Sequence, residues 1–144
     1  MTEHETPISE IMTSPVRTIA PDATIAQAAH ELAGHGIGAL VVSEERIEGI
    51  LTETDVVESV GEELDPGTRV SQLMSEPVVT IRPTDSIRAA GERMGHNGVK
   101  KLPVTEGGEP VGIVTTTDLA HFLPRYRVGM AKQAEPDVEK GEYE

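Results

Sequence analysis

Residues 8–21 read ISEIMTSPVRTIAP and residues 70–83 read VSQLMSEPVVTIRP, and the likeness of these two stretches decides the fold. Met12 falls on Met74, Ser9 on Ser71, Pro15 on Pro77, Thr18 on Thr80 and Pro21 on Pro83, at a constant offset of 62. The same offset carries Ile25 onto Ile87, Ala28 onto Ala90, Gly36 onto Gly98, Leu40 onto Leu102 and Val42 onto Val104. One residue is then added to the second copy near Glu106 to Pro110, and an offset of 63 pairs Gly49-Ile50 with Gly112-Ile113, Thr52 with Thr115 and Thr54-Asp55 with Thr117-Asp118. Self-similarity at a fixed spacing marks a duplicated structural unit. Two copies packed about a pseudo-two-fold axis are therefore expected.

Each copy reads as strand–helix–strand–strand–helix. Residues 16–20 and 78–82 are short extended segments, each followed closely by proline. Ile25, Ala28, Ala29, Leu32 and Ala33 fall on one face of a helix, and Ile87, Ala90 and Met94 repeat that face. Thr24 and Gln27 have the spacing of a capping box at the helix start. Gly34 and Gly36, or Gly95 and Gly98, are placed to end these helices. Gly38 to Val42 and Leu102 to Val104 read as buried strands, with Ile47 to Leu51 and Val111 to Val114 as their returning hairpin partners. Thr52 and Thr115 open a second helix in each copy. The units are set at 8–60 and 70–124. The segment 61–69 joins them, within a linker-like run at 58–69 that turns at Asp65-Pro66-Gly67. The acidic tail 125–144 is expected to form a short helix near Arg125 to Lys132 and then disorder.

Composition narrows the function. The 144 residues are 37% hydrophobic, and the core must be aliphatic, because the chain has no Trp, one Phe and two Tyr. Cysteine is absent, which excludes disulfides, thiolate nucleophiles and cysteine-ligated metals. The start MTEHETPISE has no signal-peptide pattern, and no apolar run reaches membrane-span length, so a cytoplasmic chain is expected. The net charge of −13 disfavours nucleic acid and anionic membranes as partners. Four lysines stand against eight arginines, and acidity with few lysines suggests a halophilic protein whose self-repulsion is screened by salt.

The run I-M-T-x-x-V-x-T-I-x-P (Ile11 to Pro21), then A-A-x-x-L (Ala28 to Leu32), I-G-A-L-V-V (Ile37 to Val42) and G-I-L-T-x-x-D (Gly49 to Asp55) resembles the cystathionine-β-synthase-type (CBS) domain family. The second copy supplies L-M-S-x-P-V-V-T-I-x-P, V-K-K-L-P-V and G-I-V-T-x-x-D, so the resemblance covers about residues 8–121. It implies an α+β fold of two β-α-β-β-α units joined through their sheets, a Bateman module that commonly dimerises. It further implies AMP, ADP, ATP or S-adenosylmethionine as a regulatory ligand, with no cofactor, and a separate regulated protein as partner.

The T-x-x-D elements, Thr52 to Asp55 and Thr115 to Asp118, carry the sharpest chemistry. Each sits where a strand passes into a helix, and free amides and the helix dipole there favour an anion. By resemblance, Asp55 and Asp118 accept ribose hydroxyls, while Thr52, Thr54, Thr115, Thr117 and nearby amides contact phosphate. The same spacing is also a capping box, and the two roles can coexist. Lys100 and Lys101 precede Leu102-Pro103 and would serve as point charges for phosphate beside the second T-x-x-D. Gly38 and Ala39 stand in their place in the first copy, where Arg17 is the available cation. Family position assigns the adenine walls to Val16, Thr18, Ile37 and Leu40 at one site, and to Val78, Thr80, Val99 and Pro103 at the other. His30, His35, His96 and His121 show no metal-binding spacing and read as surface or helix-cap residues. Met12 and Met74 read as core or dimer contacts. The leading reading is a ligand sensor; a ligand-free dimerisation scaffold is the alternative. A nucleotide-metabolising enzyme is disfavoured by the lack of a nucleophile–base pair.

Overall fold

A computed structural model describes residues 5–76 and 78–122 of the chain. Pro77, one member of the repeat, and the tail helix expected near Arg125 to Lys132 lie outside the described residues. The first copy contains β1 (Thr18–Ile19), α1 (Ile25–His35), β2 (Ala39–Ser43), β3 (Ile47–Thr52) and α2 (Glu53–Gly61). The second contains α3 (Ile87–Asn97), β4 (Lys101–Glu106), β5 (Glu109–Thr115) and a helix α4 over 116–122. Among the described residues β1, β2 and β3 form one sheet in that order, β1 parallel and β3 antiparallel to β2, and β4 pairs antiparallel with β5 in a second. The counterpart of β1 is reduced to a single parallel bridge, Ile81 to Val104. The α+β class and the order of elements match the expectation.

Local chemistry sets the element ends. Thr24 Oγ1 accepts from Gln27 N at 3.1 Å, and the Gln27 side chain accepts from Thr24 N at 2.9 Å, which closes the capping box of α1. Ser86 caps α3 by accepting from Ala89 N. Gly36 and Gly98 follow α1 and α3 in the left-handed conformation at φ 62° and 65°, which a side chain would oppose. Gly34 and Gly95, offered as alternative helix ends, instead lie inside the helices. The α1 face is Ile25, Ala28 and Leu32, with Ala33 turned to solvent, a narrower stripe than the periodicity predicts. Residues 58–61 belong to α2, so the linker is shorter than its composition suggests. The Asp65 turn is present, with Gly67 N donating to Asp65 Oδ1 and Thr68 N to Asp65 O.

The two copies exchange their leading arms. Ile8 is fully buried in the second core, with Ile81, Leu102 and Val114, whereas Val70 is fully buried in the first, with Leu32, Leu40 and Leu51. Thr13 bridges Ile113 of β5 through two hydrogen bonds, and Ser75 bridges Ile50 of β3 in the same way. Each arm thus pairs alongside the last strand of the other copy. Met12 lies over Gly112 and Met74 over Gly49, and a Cβ at either glycine would stand within 3 Å of the sulfur. The glycine of each Gly-Ile pair is the notch that admits the methionine of the opposite arm, which gives Met12 and Met74 a packing role.

Candidate functional site

The sites grow from the starts of α2 and α4. Thr52 N and Oγ1 both donate to Asp55 Oδ2, at 2.8 and 3.1 Å, and Asp55 N donates back to Thr52 Oγ1. Thr115 N donates to Asp118 Oδ2 at 2.8 Å, and Asp118 N to Thr115 Oγ1 at 3.1 Å. Both T-x-x-D elements are therefore true capping boxes. Each cap uses one carboxylate oxygen. Among the described residues Oδ1 of neither aspartate accepts a hydrogen bond, so a cap and a hydroxyl ligand are compatible. A second tie holds each helix start to its own copy: Glu53 N donates to Gly38 O and Thr116 N to Lys100 O, each at 3.0 Å.

Two clefts open between the copies. The larger, about 370 Å³, is walled by Val78, Val99 and Pro103 of the second copy. Thr52 and Thr54 at the start of α2 face them, with Lys100 and Lys101 at the β4 end. The smaller, about 220 Å³, has Val16, Arg17 and Ile37 of the first copy against Ile113 and Thr115 of the second. Gly38 and Lys101 line both. Lys101 reaches the smaller cleft because it pairs with Thr115 across β4–β5.

This grouping corrects the sequence-based one. Of the lysine pair expected beside Thr115, Thr117 and Asp118, Lys101 lies beside Thr115 and lines both clefts, whereas Lys100 lines only the larger, with Thr52 and Thr54, because each cleft joins one copy's apolar wall to the other copy's helix start. Asp55 and Asp118 stand in the caps behind Thr52 and Thr115, not in the cleft linings. Leu40 is a fully buried core residue and lines neither cleft. Thr18 borders a separate shallow hollow beside Gln27 and His30 of α1. Thr80 is engaged through its carbonyl, which accepts from Arg93 Nη1 at 2.8 Å. Thr117 is exposed and outside both clefts. The sequence reading missed Ile50, Glu53 and Ser75, all of which line the larger cleft. Glu53 was open to discovery, because it sits inside its T-x-x-D where the second copy has Thr116. Of the histidines, His35 pairs with Glu31 and His96 Nδ1 lies 3.0 Å from Glu92 O.

The family model of the CBS domain matches residues 8–62 and again 70–125. CBS domain-containing protein YhcV of Bacillus subtilis is 33% identical over 115 residues, which are 78% of this chain and 82% of that protein. Hypoxic response protein 1 of Mycobacterium tuberculosis is 30% identical over 83% of this chain and 86% of its own. Its crystal structure, with two coordinated zinc ions, superposes with a TM-score of 0.70. Among the described residues here no three of His, Cys, Asp and Glu gather as metal ligands. The CBS domain pair of protein MJ0100, solved with 5′-methylthioadenosine and S-adenosyl-L-methionine, gives a TM-score of 0.76 at 22% identity, covering 85% of this chain and 98% of that one. No described helix is long and apolar enough to cross a membrane. Fold, duplication and motifs converge with these matches: the chain belongs to the CBS domain family, as a tandem pair of CBS domains.

Proposed function

We propose that the chain is a sensor that binds an adenosine-containing ligand in the larger cleft and through it modulates a separate protein. The observation that carries this reading is the composition of that one cavity. It combines an apolar slot (Val78, Val99, Pro103), a helix start with threonine hydroxyls (Thr52, Thr54) and two lysines (Lys100, Lys101). A planar base suits the slot, and the lysines suit an anionic group. Its volume of about 370 Å³ falls within the roughly 300–1,000 Å³ of small-molecule sites, whereas the 220 Å³ of the second falls below. Of the two clefts between the copies the larger is therefore the principal site; the hollow beside α1, at about 640 Å³, is lined by no lysine. The adenosyl ligands of the MJ0100 pair are of the class this chemistry accepts. A ligand touching both copies biases their relative arrangement by no more than its difference in affinity for the two states.

Thermal unfolding with AMP, ADP, ATP and S-adenosylmethionine tests the reading. A ligand at ~100 times its dissociation constant stabilises by about 2.7 kcal/mol, a shift of roughly 5–10 °C for a chain of this size. At the same ligand concentration the shift is expected to fall by about half or more in Lys100→Ala/Lys101→Ala. No shift with any of the four would contradict the proposal.

A second observation supports association between copies of the chain. Val57 and Val60 on α2 are 68% and 73% exposed, and Leu64 follows them at 39%. An apolar face of this kind suits a homodimer, the assembly on which the scaffold reading also depends.

A further inference from the structure

At two pseudo-equivalent positions one copy carries a charge where the other is neutral. Lys100 corresponds to Gly38, and Glu53 to Thr116. The backbone at the two places is alike, with Glu53 N bonded to Gly38 O and Thr116 N to Lys100 O, both at 3.0 Å. The side chains differ. Gly38 leaves a space, and Glu53 fills it: its Oε1 lies 3.5 Å from where a Cβ on residue 38 would stand. The larger cleft thus holds Lys100 and Lys101 together with one carboxylate. Capping does not account for Glu53, because Asp55 performs it. Among the described residues the Glu53 carboxylate has neither an ion pair nor a hydrogen bond. A favourable interaction with the α2 dipole would explain an acid at this position, but not its place in the lining of a lysine-bearing cleft.

Resting on the nucleotide reading above, we propose that Glu53 sets how much negative charge the larger cleft accepts. Two lysines less one carboxylate suit an adenosyl ligand with a single anionic group, either a phosphate monoester or a carboxylate. A di- or triphosphate brings further negative charges into the same cavity, where Glu53 repels them. At separations of about 6 Å and an effective dielectric between protein and water, each added charge weakens binding by roughly 3- to 10-fold.

The experiment is a calorimetric titration of AMP, S-adenosylmethionine and ATP into wild type, Glu53→Gln and Glu53→Thr. It is run at low ionic strength and again near 1 M KCl, where the screening length falls to about 3 Å. Glu53→Gln keeps the shape and removes the charge; Glu53→Thr restores the residue of the second copy. Wild type is expected to prefer a one-anion ligand over ATP. Both variants are expected to gain on ATP relative to that ligand by at least ~3-fold, with the gain disappearing at high salt. A response by AMP alone assigns the anion as phosphate and supports the limit of one anionic group; binding of S-adenosylmethionine that weakens in Glu53→Gln would mark Glu53 as the partner of its ammonium or sulfonium and overturn the proposal. A preference for ATP in wild type, an unmoved ratio in Glu53→Gln, or a gain that survives high salt would overturn the proposal while leaving the nucleotide reading intact. Binding of none of the three by wild type or variants would overturn both.

Discussion

Replacing Gly112 by alanine puts the exchange of arms under direct strain. A Cβ at 112 would stand 2.7 Å from Met12 Sδ and 2.9 Å from Thr13 O. The methionine can swing aside, but the carbonyl is pinned: it accepts from Ile113 N at 3.0 Å, while Thr13 N donates to Ile113 O at 2.9 Å. Room for the methyl group is made only by lifting the arm from β5. Overpacking costs about 1–3 kcal/mol, and weakening two hydrogen bonds adds to it, for a total of roughly 2–4 kcal/mol. For a chain near this length the unfolding midpoint should fall by roughly 5–12 °C. Gly91→Ala is the control. Gly91 lies inside α3 with nothing near the added methyl, so the same substitution should stabilise by about 0.5–1 kcal/mol. Adding Met12→Ala to Gly112→Ala removes the sulfur contact but leaves the carbonyl, so recovery should be partial. Circular-dichroism melts of the four chains decide the matter. A Gly112→Ala chain that melts at or above wild type would refute the arm exchange as drawn.

Other outcomes follow from the same geometry. Without ligand, Asp55→Ala and Asp118→Ala should each lower stability by about 0.5–2 kcal/mol through loss of a cap, yet only Asp55→Ala should weaken binding in the larger cleft, which titration of both variants will show. With a net charge of −13, the unfolding midpoint should rise from low to molar KCl, and a flat profile would contradict the halophilic reading. If the exposed α2 face joins two copies, Val57→Glu/Val60→Glu should sediment as a monomer while retaining ligand affinity; an unchanged sedimentation profile would remove α2 from the interface.

What the sequence disclosed was whatever depends on near neighbours. The Thr24–Gln27 and Thr52–Asp55 boxes span one helical turn, and the left-handed caps at Gly36 and Gly98 depend on a single residue, so each is written where it acts. The buried stripes of α1 and α3 are equally local. The arm exchange could not be read, for a reason built into the duplication. Ile8 and Val70 occupy matching positions in similar arms, and either core offers a matching groove. A repeat that resembles itself does not encode whether an arm packs on its own copy or on the other. The lysines were misplaced for a related reason: each helix start stays tied to its own copy, and it is the way the two copies face each other that brings Lys100 and Lys101 to Thr52 and Thr54. Leu40 and Thr80 were misplaced for a different reason. A position beside a cleft is fixed in sequence, but side-chain direction is set by packing, and Leu40 turns wholly into the first core.

On the proposed function, the larger cleft binds an adenosyl ligand through its two lysines. The most direct test is equilibrium titration of AMP, ADP, ATP and S-adenosylmethionine into wild type, Lys100→Ala/Lys101→Ala and Arg46→Ala at matched ionic strength. Arg46 is exposed in the β2–β3 turn, so its loss lowers the charge of the chain without touching the cleft. Saturable binding of at least one of the four is expected, with a loss of roughly tenfold or more in the double-lysine variant, equivalent to about 1.4 kcal/mol or more from the pair, and no change in Arg46→Ala. Absence of binding by all four, or an equal loss in Arg46→Ala, would contradict the proposed function.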